Sequence, residues 1–189
     1  IKPMVSLGSV KQIGIGGGQN MLCVIAKLNG EATEKLMAIR KAALSDATMR
    51  KPLHGHITIA AYTGEEEAQF IQFCKSQIDG ISAFPVRYER IEVLEDTSIV
   101  VASPEKSGTL ETLHQRIAKE YNCSLNRWTQ ADRWYPHTTL LYEPNLDLHR
   151  ICRKISTYFV PFSAQVSKIE FSRVLESGYD IIDSVELIE

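Results

Sequence analysis

Two stretches of this chain repeat one pattern. His54-Gly-His-Ile-Thr-Ile-Ala60 and Tyr135-Pro-His-Thr-Thr-Leu-Leu141 each carry His-x-Thr inside a run that reads as a β-strand. A second echo follows each: Arg90-Ile-Glu-Val93 answers Lys168-Ile-Glu-Phe171. The count from histidine to isoleucine is 35 from His56 to Ile91 and 32 from His137 to Ile169. The intervening segments match too. In the first half, an apolar strand from Met21 to Leu28 stops at Asn29-Gly30. A helix from about Glu31 follows, with Leu36, Ile39, Ala43 and Ala47 at helical spacing. The His56 strand runs from about Leu53 to Tyr62, entered through Lys51-Pro52. Glu65-Glu66-Glu67 then opens a helix with the stripe Ile71, Cys74, Ile78, ended by Asp79-Gly80. Phe84, Val86 and Tyr88 alternate, and Ile91 and Val93 resume out of phase, which predicts a bulge near Glu89-Arg90.

The second half runs through the same plan. Ser98 to Ala102 is a strand, and a helix from about Ser107 carries Leu110, Leu113, Ile117 and Tyr121. After a polar loop come the His137 strand, a helix with Leu148, Ile151, Ile155 and Phe159, and the strand holding Lys168 to Phe171. Ser177-Gly178 turns into a last strand, Tyr179 to Leu187. The order is therefore βαβαβ twice, plus a closing strand. A duplication of this kind relates equivalent elements by a pseudo-two-fold axis, so equivalent residues face one another across it.

Side chains alternate along a strand, so His56 shares a face with Thr58, and His137 with Thr139. Ile57 and Ile59 point the other way, towards a core. Thr138 and Leu140 do the same, with Thr138 polar for that role. A lone His-x-Thr is more often surface decoration than chemistry, and it is the duplicated setting that reverses this weighting. Two facing imidazoles can be held one neutral and one charged near neutral pH, as an acid–base pair requires. Threonine hydroxyls beside them can donate to phosphate oxygens as charge builds at phosphorus.

Other readings are narrowed by composition. A net charge of −2 argues against a protein that coats DNA or RNA, and leaves small nucleotides or one RNA end as partners. Cys23, Cys74, Cys123 and Cys152 stand apart with no C-x-x-C, which predicts a reducing, cytoplasmic setting and neither a zinc ribbon nor a redox motif. No apolar run reaches membrane-spanning length. Residues 1–20 differ from the rest. Gly14-Ile-Gly-Gly-Gly18 is low in complexity, and the third glycine of a dinucleotide fingerprint would fall at Gln19. The expectation is a flexible, non-native extension over 1–20, with the native protein starting at Met21 and a single domain over 21–189.

From Met21 onward, His56-Ile-Thr58 and Trp134-Tyr-Pro-His-Thr-Thr139 resemble the two-histidine phosphoesterase superfamily, the 2′-5′ RNA ligase and cyclic phosphodiesterase-like proteins. The resemblance implies an α+β, bilobal fold in which two antiparallel sheets flank a central cleft holding both motifs. It implies hydrolysis of 2′,3′- or 1″,2″-cyclic phosphates or of 2′-5′ linkages, with no metal and no other cofactor. It also implies that His56 and His137 form the acid–base pair and that Thr58 and Thr139 bind phosphate oxygens. The alternatives are 2′-5′ RNA ligation and a nucleotide- or RNA-binding module with little turnover. The expected partner is a nucleotide or an RNA terminus, with no DNA and no membrane, and the expected assembly is a monomer.

Some residues stay open. His54 shares the face of His56 and would make half a metal site, but a third ligand is lacking. The histidine-triad pattern fails because Thr58 and Gly55 occupy two of its positions. In the loop from Asn122 to Trp134, Arg127, Trp128, Arg133 and Trp134 either contact a substrate or simply pack. Arg133 and Tyr135 are the substrate-contact candidates, Tyr135 because it shares the face of His137. His114 and His149 read as solvated helix positions.

Overall fold

The computed structural model describes residues 21–43, 55–142, 147–175 and 178–189. The predicted extension 1–20, together with Ala47, Lys51, Pro52, Leu53, His54 and Ser177, lies outside the described residues. The elements run β1 (Met21–Leu28), α1 (Gly30–Ala43), β2 (His56–Tyr62), α2 (Glu67–Ile78), β3 (Phe84–Val93), β4 (Ile99–Pro104), α3 (Gly108–Tyr121), β5 (Thr138–Tyr142), α4 (Leu148–Ser156), β6 (Phe162–Leu175) and β7 (Gly178–Glu186). This is the predicted order, βαβαβ twice with a closing strand.

The strands join in the order β2-β1-β6-β3-β4-β5, with β7 added to β6, and every pairing is antiparallel. Two half-sheets, β2-β1-β6 and β5-β4-β3, meet where the first residues of β6 pair with those of β3. Phe84 faces Val166 and Tyr88 faces Phe162 around a central Val86–Ala164 pair. The duplication can be read in the register. Ile25 lies opposite both Thr58 and Glu170, while Val101 lies opposite both Thr139 and Glu92. Even the irregularities repeat, with a bulge at Val24/Ile25 against β2 and one at Val100/Val101 against β5. The phase slip predicted in β3 is present between Tyr88 and Arg90.

The helices lie where their apolar stripes require. Leu110, Leu113 and Ile117 of α3 are buried, as are Leu36 and Ile39 of α1. In α2 the buried stripe is Phe70, Cys74 and Ile78, with Ile71 only half buried. Cys74 and Ile78 are buried as predicted, and Phe70 takes the place of Ile71 because its ring stacks on Tyr62, 4.2 Å between centroids. Asp147 caps α4, its carboxylate accepting from the Arg150 amide at 3.0 Å. The helix closes at Ser156, short of Phe159. A principal core collects Ile57, Ile59, Tyr88, Leu140 and Phe171. A small separate cluster of Cys23, Ile25 and Ala61 lies on the opposite sheet face, the one shared by Thr58. None of the described helices is long and apolar enough to cross a membrane.

Candidate active site

The first motif starts β2. Ile57 and Ile59 are fully buried beneath it, and each such side chain contributes about 1.5–3 kcal/mol by leaving water. Their burial fixes which way the strand faces, and so places His56 and Thr58 on the open side. His56 lies opposite Lys27, whose ammonium is 3.4 Å from the Glu170 carboxylate. The phenol ring of Tyr179, on β7, stands edge-on to the His56 imidazole with centroids 6.3 Å apart.

The second motif is built differently. His137 precedes β5 rather than belonging to it, and its orientation comes from a local bond in which Nδ1–H donates to the Tyr135 carbonyl at 2.7 Å. With the proton held on Nδ1, Nε2 is the acceptor nitrogen of the neutral ring. Burial pushes the His137 pKa below its ordinary value, while the Tyr135 carbonyl and the charge of Glu92 push the other way and offset part of the effect. Thr139 is exposed on the same side, and Thr138 and Leu140 are buried.

What brings the motifs together is the residue that looks out of place in a core. The Thr138 hydroxyl donates to the backbone carbonyl of His56 at 2.8 Å and accepts from the buried Tyr88 hydroxyl at 2.5 Å. A hydroxyl on the core side of β5 thus ties the second motif to the first. The loop ahead of it completes the join. Trp134 donates through Nε1 to the Thr58 carbonyl at 2.9 Å, and His114 donates through Nδ1 to the Ile59 carbonyl at 2.9 Å. Ala61 receives the Asn126 amide on its carbonyl at 2.7 Å and gives its own amide to the Thr129 hydroxyl at 3.0 Å. The outer edge of β2 therefore finds its partners in side chains and loop backbone of the second half, not in another strand.

This corrects the expected place of His114. It is 3% exposed, stacks on Trp134 with centroids 4.1 Å apart, and its Nε2 is buried without a hydrogen-bond partner. Burial lowers its pKa, with the Ile59 bond acting in the opposite direction. His149 is exposed, as expected. Of the two tryptophans, Trp134 packs, while Trp128 is half buried under the Arg127 guanidinium, 4.8 Å from its ring centre.

A cavity of about 470 Å³ opens beside His137, lined by Glu92, Trp128, Asp132, Arg133, Trp134 and Tyr135 among others. Arg133 is exposed there, its nearest ion partner being Asp132 at 3.9 Å. Tyr135 also lines the cavity, but its hydroxyl is engaged: it donates to the Glu92 carboxylate and accepts from Arg90 at 2.8 Å. Glu92 also accepts from Ser103 and from Arg90 Nε at 3.2 Å. Burial works against ionising Glu92, but these bonds and the Arg90 charge outweigh it and hold the carboxyl below its usual range. Sequence reading misses this cluster, although a signal exists, since Glu92 recurs as Glu170 in the matched tetrapeptides. Tyr179 is missed as well, because the closing strand has no counterpart in the first half.

The family model described as 2′-5′ RNA ligase superfamily matches residues 25–177. No curated protein matches in sequence. Among solved structures, one described as a phosphoesterase aligns at TM-score 0.68 and 14% identity, over 91% of this chain and 100% of that one. Escherichia coli LigT complexed with NADP+ aligns at TM-score 0.63 and 15% identity, over 90% and 99% of the two chains. The same protein complexed with 3′-AMP gives TM-score 0.62 and 16% identity, over 91% and 100%. At these identities the likeness is one of fold.

Proposed function

The chain belongs to the 2′-5′ RNA ligase superfamily, and from that premise we propose that it is a metal-independent phosphodiesterase. Its substrates would be cyclic 2′,3′- or 1″,2″-phosphates, or 2′-5′ linkages, at the end of an RNA or in a small nucleotide. The proposed domain is 21–189, with His56 and His137 as acid and base. Thr58 and Thr139 donate to the non-bridging oxygens, and Arg133 contacts the substrate from the cavity rim. Tyr135, the other candidate for that role, lines the same cavity, and its carbonyl holds His137.

One observation carries this reading: the threonines of the two His-x-Thr motifs, Thr58 and Thr139, occupy equivalent register positions, and a hydrogen bond from Thr138 to the His56 carbonyl couples the motifs. A neutral imidazole removes a proton from water as it attacks phosphorus. The second, protonated, imidazole gives its proton to the departing ribose oxygen, and the threonines meet the charge on the phosphoryl oxygens. Each imidazole supplies a factor of about 10²–10⁴. If a 5′-hydroxyl takes the place of water, its attack on the cyclic phosphate forms a new phosphodiester as a ribose oxygen leaves, which is ligation, and the reverse transesterification is cleavage back to the cyclic phosphate. That Escherichia coli LigT structures hold NADP+ and 3′-AMP supports a nucleotide-sized occupant for this cleft.

The test is hydrolysis of a 2′,3′-cyclic nucleotide with chelator present, wild type beside His56→Ala and His137→Ala. Turnover in the wild type that both substitutions abolish is expected. Turnover that survives either substitution, or that stops with chelator, refutes the mechanism.

A further inference from the structure

His56 is held by a strand with a buried underside, whereas His137 lies just ahead of β5 and depends on the carbonyl of Tyr135 for its orientation. Anything that fixes Tyr135 therefore fixes the imidazole. The Tyr135 hydroxyl donates to Glu92, and Glu92 is in turn held by Ser103 and Arg90, with Arg90 also donating to the Tyr135 oxygen. The chain of contacts runs from β3 and β4 through the phenol, along one residue of backbone, and into the ring. We propose that Glu92, acting through Tyr135, is the positioning residue for His137, and that its carboxylate supports the charged imidazole during turnover. This deepens the phosphodiesterase reading and rests on it for the catalytic consequence.

The equivalent carboxylate in the other half has a different ion partner. Glu170 holds the register position equivalent to Glu92, yet its ion partner is Lys27, which stands where the second half has Ser103. The carboxylate is common to both halves, but its connection through a tyrosine to the catalytic loop is found beside His137. The two demands on His137 also differ from those on a surface histidine. It must be able to lose its proton, which burial favours, and it must carry one transiently, which a fixed negative charge favours. The charged and titratable groups that line the cavity with it are Glu92 from β3, Glu95 and Asp96 from the turn after β3, and Asp132, Arg133 and Tyr135 from its own loop, with Arg90 of β3 bonded to the Tyr135 hydroxyl. Among them, Glu92 is the acid joined to the His137 loop by a hydrogen bond.

The experiment uses the full chain with Glu92→Gln and Tyr135→Phe, singly and together. The amide introduced by Glu92→Gln keeps an oxygen for Ser103 and Tyr135 but removes the charge. Nuclear magnetic resonance of the imidazole protons follows His137 and His56 through a pH titration without substrate, and steady-state hydrolysis gives kcat and KM. In Glu92→Gln, the His137 midpoint should fall by roughly 1 in pH while that of His56 stays put. The kcat should drop about 10- to 100-fold with KM nearly constant, less than the roughly 10²–10⁴ expected for losing the imidazole itself. Tyr135→Phe should move both readouts in the same direction by a smaller amount, and the double variant should fall short of the sum. Folded variants with an unmoved His137 midpoint, or a His56 midpoint that moves equally, overturn the proposal. If Glu92→Gln does not fold, Tyr135→Phe decides by the same criteria. The titration needs no substrate, so it separates failure of this inference from failure of the proposed reaction.

Discussion

Thr138→Val is the most informative single change, because it alters one atom's chemistry and almost no volume. The hydroxyl it removes accepts from Tyr88, which is fully buried, and donates to the carbonyl of His56. After the change the Tyr88 hydroxyl has lost its acceptor and the His56 carbonyl has lost a donor. Leaving a buried polar group unpaired costs about 1–3 kcal/mol. That cost for the Tyr88 hydroxyl, with about 0.5–1.5 kcal/mol for the lost bond to the His56 carbonyl, comes to about 1.5–4.5 kcal/mol, a large part of the roughly 5–15 kcal/mol that stabilises a typical domain. The melting temperature should fall by roughly 5–15 °C for a chain of this size. Tyr88→Phe removes the donor and leaves Thr138 bonded to His56, and should cost about 0.5–1.5 kcal/mol. In the double variant the orphaned phenol is absent, so the cost should be less than the sum by about 1 kcal/mol or more. Urea unfolding followed by tryptophan fluorescence measures all three. Activity should fall in Thr138→Val under conditions where the protein remains folded, since the His56 backbone has lost its tie to the second motif. If Thr138→Val stays within about 0.5 kcal/mol of wild type, or adds simply to Tyr88→Phe, the reasoning fails.

Other outcomes follow from the same structure. Trp134→Phe retains an aromatic ring against His114 but removes the bond to the Thr58 carbonyl, and should cost about 1–2 kcal/mol in urea unfolding while lowering kcat. His114 and His137 both have folded pKa values below 6.5, so in acid the unfolded chain binds protons that the native state does not. Stability should be unaffected by these groups above about pH 6.5 and fall as pH drops below it, and His114→Gln should reduce that slope in melts at stepped pH. The pH–rate profile should be bell-shaped, and a flat profile from about pH 5 to 9 contradicts a pair of imidazoles working as acid and base. Burial raises the Cys23 and Cys74 thiols to about 12, whereas Cys123 is exposed. A mild alkylating reagent should therefore modify Cys123 in the native protein and reach the buried pair only on unfolding, as read by mass spectrometry.

What can be read from the sequence is whatever depends on periodicity and repetition. The ends of β1, the bulge after Tyr88 and the equivalence of the two motifs all follow from alternation and from matched tetrapeptides, and all are present. Contacts that join distant segments through single polar atoms leave no such trace. Thr138 reads as an imperfect core residue because its partners, Tyr88 and His56, are 50 and 82 positions away. His114 reads as solvated because a histidine in an otherwise regular helix gives no sign that a tryptophan stacks on it. Trp134 and Tyr135 do lie near the second motif, but their roles turn on which groups their polar tips reach. The strand beginning at Phe162 shows a similar limit. Its pattern identifies β6, yet nothing in it tells that one edge serves β1 while the other serves β3 and then β7.

That last strand has a consequence in time. β1 is the first described element made by the ribosome, and the partner for one of its edges, β6, is complete only at Leu175. At about 5–20 residues per second, the interval between the two is roughly 7–30 s. Throughout it β1 can pair with β2 on one side while its other edge remains open, and such an edge attracts other strands. Sheet closure between residues so far apart in sequence is also slow. Production of this protein should therefore be more sensitive to nascent-chain shielding than its small size suggests. A chain ending before Phe162 should aggregate rather than yield half of the fold.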